Sequence, residues 1–143
     1  MKIGELAQVA QCTVETVRYY EKEGLLSAPA RTSGNFRIYS AAHVERLRFI
    51  RNCRALDMSH GEIRTLLALA DQPAEDCGAI NDVFDQHIAH VDERLRELAQ
   101  LKLQLDALRT TCQSRQAVDA CGILHGLAAM DADARHERHT HLG

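Results

Sequence analysis

The chain has 143 residues, of which 26% are charged and only 4% aromatic, with two prolines, no tryptophan and a net charge of −3. That length holds one compact domain plus an extended element and excludes two full domains. No apolar run approaches the roughly 20 residues of a membrane span, and the first ten residues, broken by Lys2, Glu5 and Gln8, lack the apolar core of a secretory signal, so a cytoplasmic protein with no membrane partner is expected.

Few aromatics and many Leu, Ala, Glu and Arg predict a mainly all-α fold with a modest core. The net charge conceals an asymmetry. Residues 1–70 hold ten Lys/Arg against seven Asp/Glu, whereas residues 71–143 hold seven against thirteen. A basic front half on an acidic chain points to a nucleic-acid partner for that half. Five cysteines in a cytosolic chain point to metal or redox chemistry rather than a disulfide framework.

Residues 3–10 read as a short helix with Ile3, Leu6, Ala7 and Ala10 on one face. Gln11-Cys12 makes a turn, and Thr13 is an N-cap for a second helix that reaches about Glu23 and stops at Gly24. Val14, Val17 and Tyr20 face inward, which leaves Glu15, Thr16, Arg18 and Tyr19 outside. Two short helices joined by a tight turn, the second presenting polar and basic groups, is helix-turn-helix geometry.

Pro29 ends the next segment, and residues 31–39 read as a small hairpin turning at Gly34-Asn35. Arg31 and Arg37 flank it, within reach of phosphates. A third helix covers residues 41–56, with Val44, Leu47 and Ile50 inward. Ser59 and Glu62 form a capping box that opens a fourth. Residues 71–79 are a linker containing Pro73 and Cys77.

The longest periodic stretch follows. Phe84, Ile88, Val91, Leu95, Leu98, Leu101, Leu105 and Leu108 recur at steps of 3 and 4, an average of about 3.4 and close to the 3.5 repeat of a coiled coil. A helix of roughly 40 Å cannot bury this stripe on a 70-residue domain, so self-pairing is expected.

These residues also carry a resemblance. Lys2-Ile-Gly-Glu-Leu-Ala7, Val17-Arg-Tyr-Tyr-Glu21, Glu23-Gly-Leu-Leu26, Gly34-Asn-Phe-Arg-Ile-Tyr39 and His43-Val-Glu-Arg-Leu-Arg-Phe-Ile50 resemble the MerR family of winged-helix regulators over essentially the whole chain. Asn52-Cys-Arg-Ala-Leu-Asp-Met58, Asp76-Cys-Gly78 and Asp85-Gln-His-Ile88 are similar to its cadmium- and lead-responsive branch. The resemblance implies a homodimer joined by an antiparallel coiled coil, set on a promoter operator and acting on RNA polymerase. The inducer makes the dimer bend and undertwist double-stranded DNA, so that metal resistance or efflux genes are activated. By the same resemblance Thr13, Glu15, Thr16 and Arg18 enter the major groove, while Tyr19, Tyr20, Arg31, Asn35, Arg37 and Tyr39 contact the DNA backbone.

The implied division of the chain is a winged helix-turn-helix domain over 1–70, a linker with the first metal cysteine over 71–79, and a dimerisation helix over 80–111. A metal-binding loop and short helix over 112–130 and a histidine-containing tail over 131–143 complete it. Cys77 and Cys112 flank a rod of about 50 Å and cannot share an ion within one chain. In the antiparallel dimer, Cys77 of one subunit meets Cys112 and Cys121 of the other.

Three thiolates without a fourth ligand suit soft, large ions. Gln113 and Asp119 stand where zinc-sensing members of the family carry a further cysteine and histidine, which favours lead or cadmium and leaves mercury or zinc as alternatives. Cys12 and Cys53 read as small buried hydrophobes. His87 and His90, three apart on one helix face, and His136, His139 and His141 in the tail are candidates for a second, weaker metal site.

An enzyme is disfavoured, since no CxxC, nucleophile motif or phosphate loop is present. A metal-sequestering protein leaves the helix-turn-helix unexplained. A regulator induced by oxidation of the cysteines stays open at this stage.

Overall fold

The computed structural model describes residues 1–72 and 76–131. Its order is α1 (Ile3–Val9), α2 (Val14–Lys22), β1 (Ala30–Arg31), β2 (Arg37–Ile38), α3 (Ala41–Ala55), α4 (His60–Asp71), α5 (Gly78–Thr110), a 3-10 turn (Val118–Ala120) and α6 (Gly122–Ala129). The chain divides into two compact units, Met1–Val83 and Phe84–Gly143. The mainly helical architecture expected from composition is what the structure shows.

Local chemistry sets the ends of the helices in the first unit. The Thr13 hydroxyl accepts from the Thr16 backbone N–H at 3.1 Å, an N-cap that fixes where α2 begins. Ser59 and Glu62 form the expected capping box, Glu62 N–H to Ser59 Oγ at 3.1 Å and Ser59 N–H to Glu62 Oε1 at 2.8 Å. Just beyond α2, Gly24 takes φ +75°, a left-handed conformation that carries no steric cost for glycine. Gln11 and Asp57 follow α1 and α3 in the same conformation at φ 57° and 58°, where a glycine signal is absent. Arg51 braces the first of these turns, donating to Gln11 Oε1 at 2.6 Å.

β1 and β2 pair antiparallel with Ala30 opposite Ile38 and Arg31 opposite Arg37. Asn35 turns the hairpin at φ 67°, as expected of an Asn in a tight turn. The wing is tied to α1 by a two-way backbone pair. The Met1 ammonium donates to the Tyr39 carbonyl at 2.8 Å, and the Tyr39 N–H returns a bond to the Met1 carbonyl at 2.8 Å.

Two apolar clusters fill the unit. Leu6, Ala7, Ala10, Val17, Leu26, Tyr39, Val44 and Leu47 form one. Leu25, Ile50, Cys53, Met58, Ile63, Leu66 and Leu67 form the other, with Ile80 and Val83 packed against it. Tyr20 touches both. Cys53 is buried, as expected, and burial raises its thiol pKa. Cys12 is only half-buried, packed at the edge of the first cluster.

His43 is the buried polar group that closes the start of α3. Its Nδ1 accepts from the Ser40 N–H at 3.1 Å, and its Nε2 faces the Ser27 carbonyl at 3.1 Å. A backbone N–H can only donate, so Nδ1 is the bare nitrogen and the Nε2 proton goes to Ser27. Replacing His43 by alanine leaves both backbone groups without this partner, each worth about 1–3 kcal/mol where water cannot substitute. The expected result is a lower urea midpoint with an unchanged slope; an unchanged midpoint would show that the histidine contributes nothing to the fold.

In the second unit the apolar stripe of α5 is exposed in the single chain. Ile88, Leu95 and Leu105 are each more than half exposed, and Phe84, Val91 and Leu98 also face solvent. None of the helices among the described residues is long and apolar enough to cross a membrane.

Candidate functional site

The outer face of α2 presents Thr13, Glu15, Arg18 and Tyr19 to solvent, with Thr16 half-buried behind them. Thr13 and Thr16 also share a hydroxyl contact at 2.9 Å, so both side chains are held in place before any ligand arrives. Arg31 and Asn35 lie together in the wing, the guanidinium donating to the Asn35 carbonyl at 3.2 Å. Arg37 is half exposed and donates to Glu21 Oε2 at 3.2 Å.

Tyr39 departs from the expected DNA-backbone role. It is 2% exposed within the first cluster, and its hydroxyl donates to Glu21 Oε1. Burial, and then the Glu21 bond, raise the phenol pKa. Its ring is core, and its hydroxyl and Arg37 converge on one carboxylate. Glu21 therefore locks the wing to α2. Sequence reasoning missed this residue because the contacts span 16 and 18 positions. Tyr20 is likewise half-buried between the clusters rather than standing clear on the surface.

A second candidate centre lies at the far end of α5. Cys112 follows this helix and Cys121 is the N-cap residue of α6. The Leu124 N–H and then the Ile123 N–H, at the start of α6, lower the Cys121 thiol pKa, and a hydrogen bond with Cys112 adds to this. The two cysteines line one cavity. Arg109, Cys112, Arg115, Cys121 and Leu124 line a cavity of about 520 Å³, and Arg109 donates to the Cys112 carbonyl at 2.7 Å. His125 reaches the Asp119 carbonyl at 2.6 Å and braces the intervening turn.

Cys77 is exposed immediately before α5. His87 and His90 sit one turn apart on α5, the first buried and the second exposed. His136, His139 and His141 lie outside the described residues.

The sequence matches the MerR HTH family regulatory protein family over residues 1–70 and the MerR DNA-binding family over residues 44–108. A ZntR homolog from Haemophilus influenzae, an HTH-type transcriptional regulator, is 52% identical over 109 residues, covering 76% of this chain and 81% of the relative. The chain belongs to the MerR family. Among solved structures of this family, the transcription regulator PbrR691 from Ralstonia metallidurans CH34, in complex with lead(II), has a TM-score of 0.81 and 51% identity. The likeness covers 89% of this chain and 98% of that one. The dual-function regulator MerR from Bacillus megaterium, in complex with mercury(II), has a TM-score of 0.72 and 27% identity, over 90% and 99% of the two chains.

This MerR-family chain builds its thiol end on two glycines that sequence reasoning passed over. A Cβ on Gly122 would lie 2.3 Å from the Thr111 carbonyl oxygen, and one on Gly126 would lie 2.8 Å from a Leu108 methyl. The first contact is with backbone and cannot yield cheaply. Gly122→Ala should therefore push α6 away from the end of α5, part Cys112 from Cys121 and weaken metal binding at least tenfold in a competition titration; unchanged affinity would contradict this placement.

Metal-free protein offers a second check. Backbone N–H groups favour the Cys121 thiolate, whereas burial disfavours that of Cys12, with Arg51 opposing it in part. Rates of iodoacetamide alkylation followed against pH should rise at a lower midpoint for Cys121 than for Cys12. The reverse order would contradict the N–H cradle.

Proposed function

We propose that the chain is a metal-responsive activator that grips promoter DNA through its first unit and binds a soft divalent ion through Cys77, Cys112 and Cys121. The observation that carries this reading is that Cys112 and Cys121, two of the three expected thiols, line one cavity at the end of a helix with an exposed apolar stripe.

The dimer is the first step of the mechanism. Burying the stripe of α5 against a second copy removes apolar surface from water, roughly 1.5–3 kcal/mol for each large side chain fully buried. In an antiparallel pair, Cys77 of one subunit lies at the end of the helix where the partner subunit carries Cys112 and Cys121. The division of labour follows the expected segments: DNA binding over 1–70, a thiol-bearing linker over 71–79, pairing over 80–111, the metal loop and short helix over 112–130, and the tail over 131–143. His87 and His90, with the tail histidines His136, His139 and His141, remain the candidates for a second, weaker site.

On DNA, Thr13, Glu15, Thr16 and Arg18 face base edges, and Tyr19, Arg31, Asn35 and Arg37 face phosphates. Tyr20 and Tyr39 support this surface from within. The bound ion supplies a cross-link that favours one dimer geometry, and the DNA follows that geometry because the protein grips it at two half-sites. RNA polymerase is the partner that reads the distorted promoter, in the cytoplasm.

Three thiols and no further cysteine at Gln113 favour lead or cadmium over zinc. The lead complex of PbrR691 supports lead, whereas the name of the ZntR homolog points toward zinc, which keeps zinc and mercury as alternatives. Arg109 and Arg115, beside the thiols, suit the negative charge of three thiolates around a divalent ion.

Transcription in vitro, from a promoter carrying a duplex selected from a random pool by the protein, tests this reading. Activation should rise with lead or cadmium under full reduction, and Cys121→Ser should abolish the response while retaining DNA binding. Activation by oxidant alone, without metal, would overturn the metal reading. Arg18→Ala should weaken binding to the selected duplex at least tenfold, and undiminished affinity would remove Arg18 from the interface.

A further inference from the structure

The first residue of α4, His60, sits against the outer face of α2. Its Nδ1 lies 3.2 Å from the Tyr19 hydroxyl, and its ring centroid is 5.5 Å from that of Tyr19 and 6.1 Å from that of Tyr20. Tyr19 in turn stacks at a tilt on Tyr20, 5.7 Å away. The half-exposed Tyr19 ring is thus fixed on two sides, and the one polar partner of its hydroxyl given by the structure is a histidine nitrogen.

We propose that His60 is a positioning residue for the Tyr19 contact to DNA, its Nδ1 deciding whether the hydroxyl proton of Tyr19 points at His60 or at a phosphate oxygen. The proposal rests on the reading of α2 as the DNA-facing helix.

The chemistry has two states. When Nδ1 is bare it accepts the Tyr19 proton, and the phenol oxygen then shows only lone pairs to a phosphate, which repels them. When Nδ1 carries a proton it donates to the phenol oxygen, and the Tyr19 hydroxyl is free to donate outward. Both the Nδ1–H neutral tautomer and the cation provide the second state. The cation also brings a positive charge to the phosphate-facing surface, so contact with phosphate selects it.

The surroundings determine the resting state. The groups facing His60 are Tyr19 and Tyr20 of α2, Glu23 at the end of that helix, Arg54 of α3 and Arg64 of α4. Arg54 is held by the Met58 carbonyl at 2.6 Å, and Arg64 by the Glu23 carbonyl at 2.9 Å. Burial, and after it the charge of Arg54, lower the His60 pKa from its ordinary value, with Glu23 opposing and Arg64 adding to the effect. Free protein near neutrality therefore carries His60 uncharged. A phosphate beside the pair raises that pKa in the complex. The resulting affinity gain is complete below the free-state pKa and is lost as pH rises through the pKa of the complex.

The test uses full-length protein and a fluorescent duplex selected from a random pool, with anisotropy titrations between about pH 6 and pH 8 at fixed salt. Wild type should gain several-fold in affinity toward the acidic end. His60→Leu should lose most of that gain, and Tyr19→Phe should lose the part carried by the hydroxyl while keeping the part carried by the His60 charge. His60→Asn offers an amide N–H that cannot titrate, so it should keep near-neutral affinity while flattening the pH profile. At the alkaline end, where His60 is uncharged, the double variant Tyr19→Phe/His60→Leu should bind no worse than Tyr19→Phe alone. Equal pH profiles for wild type and His60→Leu would overturn the proposal. Failure of any duplex to be selected, or of Arg18→Ala to weaken binding, would instead overturn the DNA-facing reading of α2.

Discussion

The structure depends on a single constraint, the row of apolar side chains that α5 holds out into water. A stripe repeating at close to 3.5 residues is a surface for another helix, and within the described chain its central members stay exposed. The first unit, by contrast, builds two buried apolar clusters of its own. The first unit thus has a core, while the stripe of α5 is left for a partner. A second copy of the same chain supplies the matching stripe, with no further sequence required.

That constraint gives meaning to the thiols. Cys112 and Cys121 are brought together by the turn between α5 and α6, and the close approach of Gly122 to Thr111 fixes the turn. Under the proposed reading, Cys112 and Cys121, which line one cavity, supply two of the three thiols of a soft-metal site. If the third ligand comes from the partner subunit, every ion bound also joins the two chains at that point. Metal affinity and dimer geometry are then linked, and by reciprocity the DNA-bound shape must alter metal affinity by the same factor as metal alters the preference for that shape. Glu21 serves a parallel purpose within the first unit. By holding Arg37 and Tyr39 it makes the wing and α2 move as one body.

Features set by a few neighbouring residues were legible in the sequence. Thr13 and Ser59 announce helix starts because a hydroxyl caps N–H groups only three positions away, and Gly24 and Asn35 mark turns because they tolerate positive φ. The period of the α5 stripe was equally plain. What escaped was non-local. Tyr39 has the chemistry of a phosphate contact, but its backbone is paired with Met1 and its side chain lies buried against Glu21, which no local pattern reveals. His43 looks like an ordinary helix residue until the Ser27 carbonyl arrives from 16 positions away. Gly122 carries no local signal, yet its lack of a side chain is what lets α6 close on Thr111.

The cross-subunit thiol site is the central claim, and mixed dimers test it most directly. One chain carries Cys77→Ser and the other carries Cys112→Ser and Cys121→Ser, with different affinity tags so that the heterodimer can be isolated and its lead content measured by native mass spectrometry. If each ion is held by Cys77 of one subunit and by Cys112 and Cys121 of the other, the mixed dimer keeps one intact site and should bind one ion tightly. If the three thiols act within a single chain, neither site survives, and a heterodimer without tightly bound lead would contradict the account.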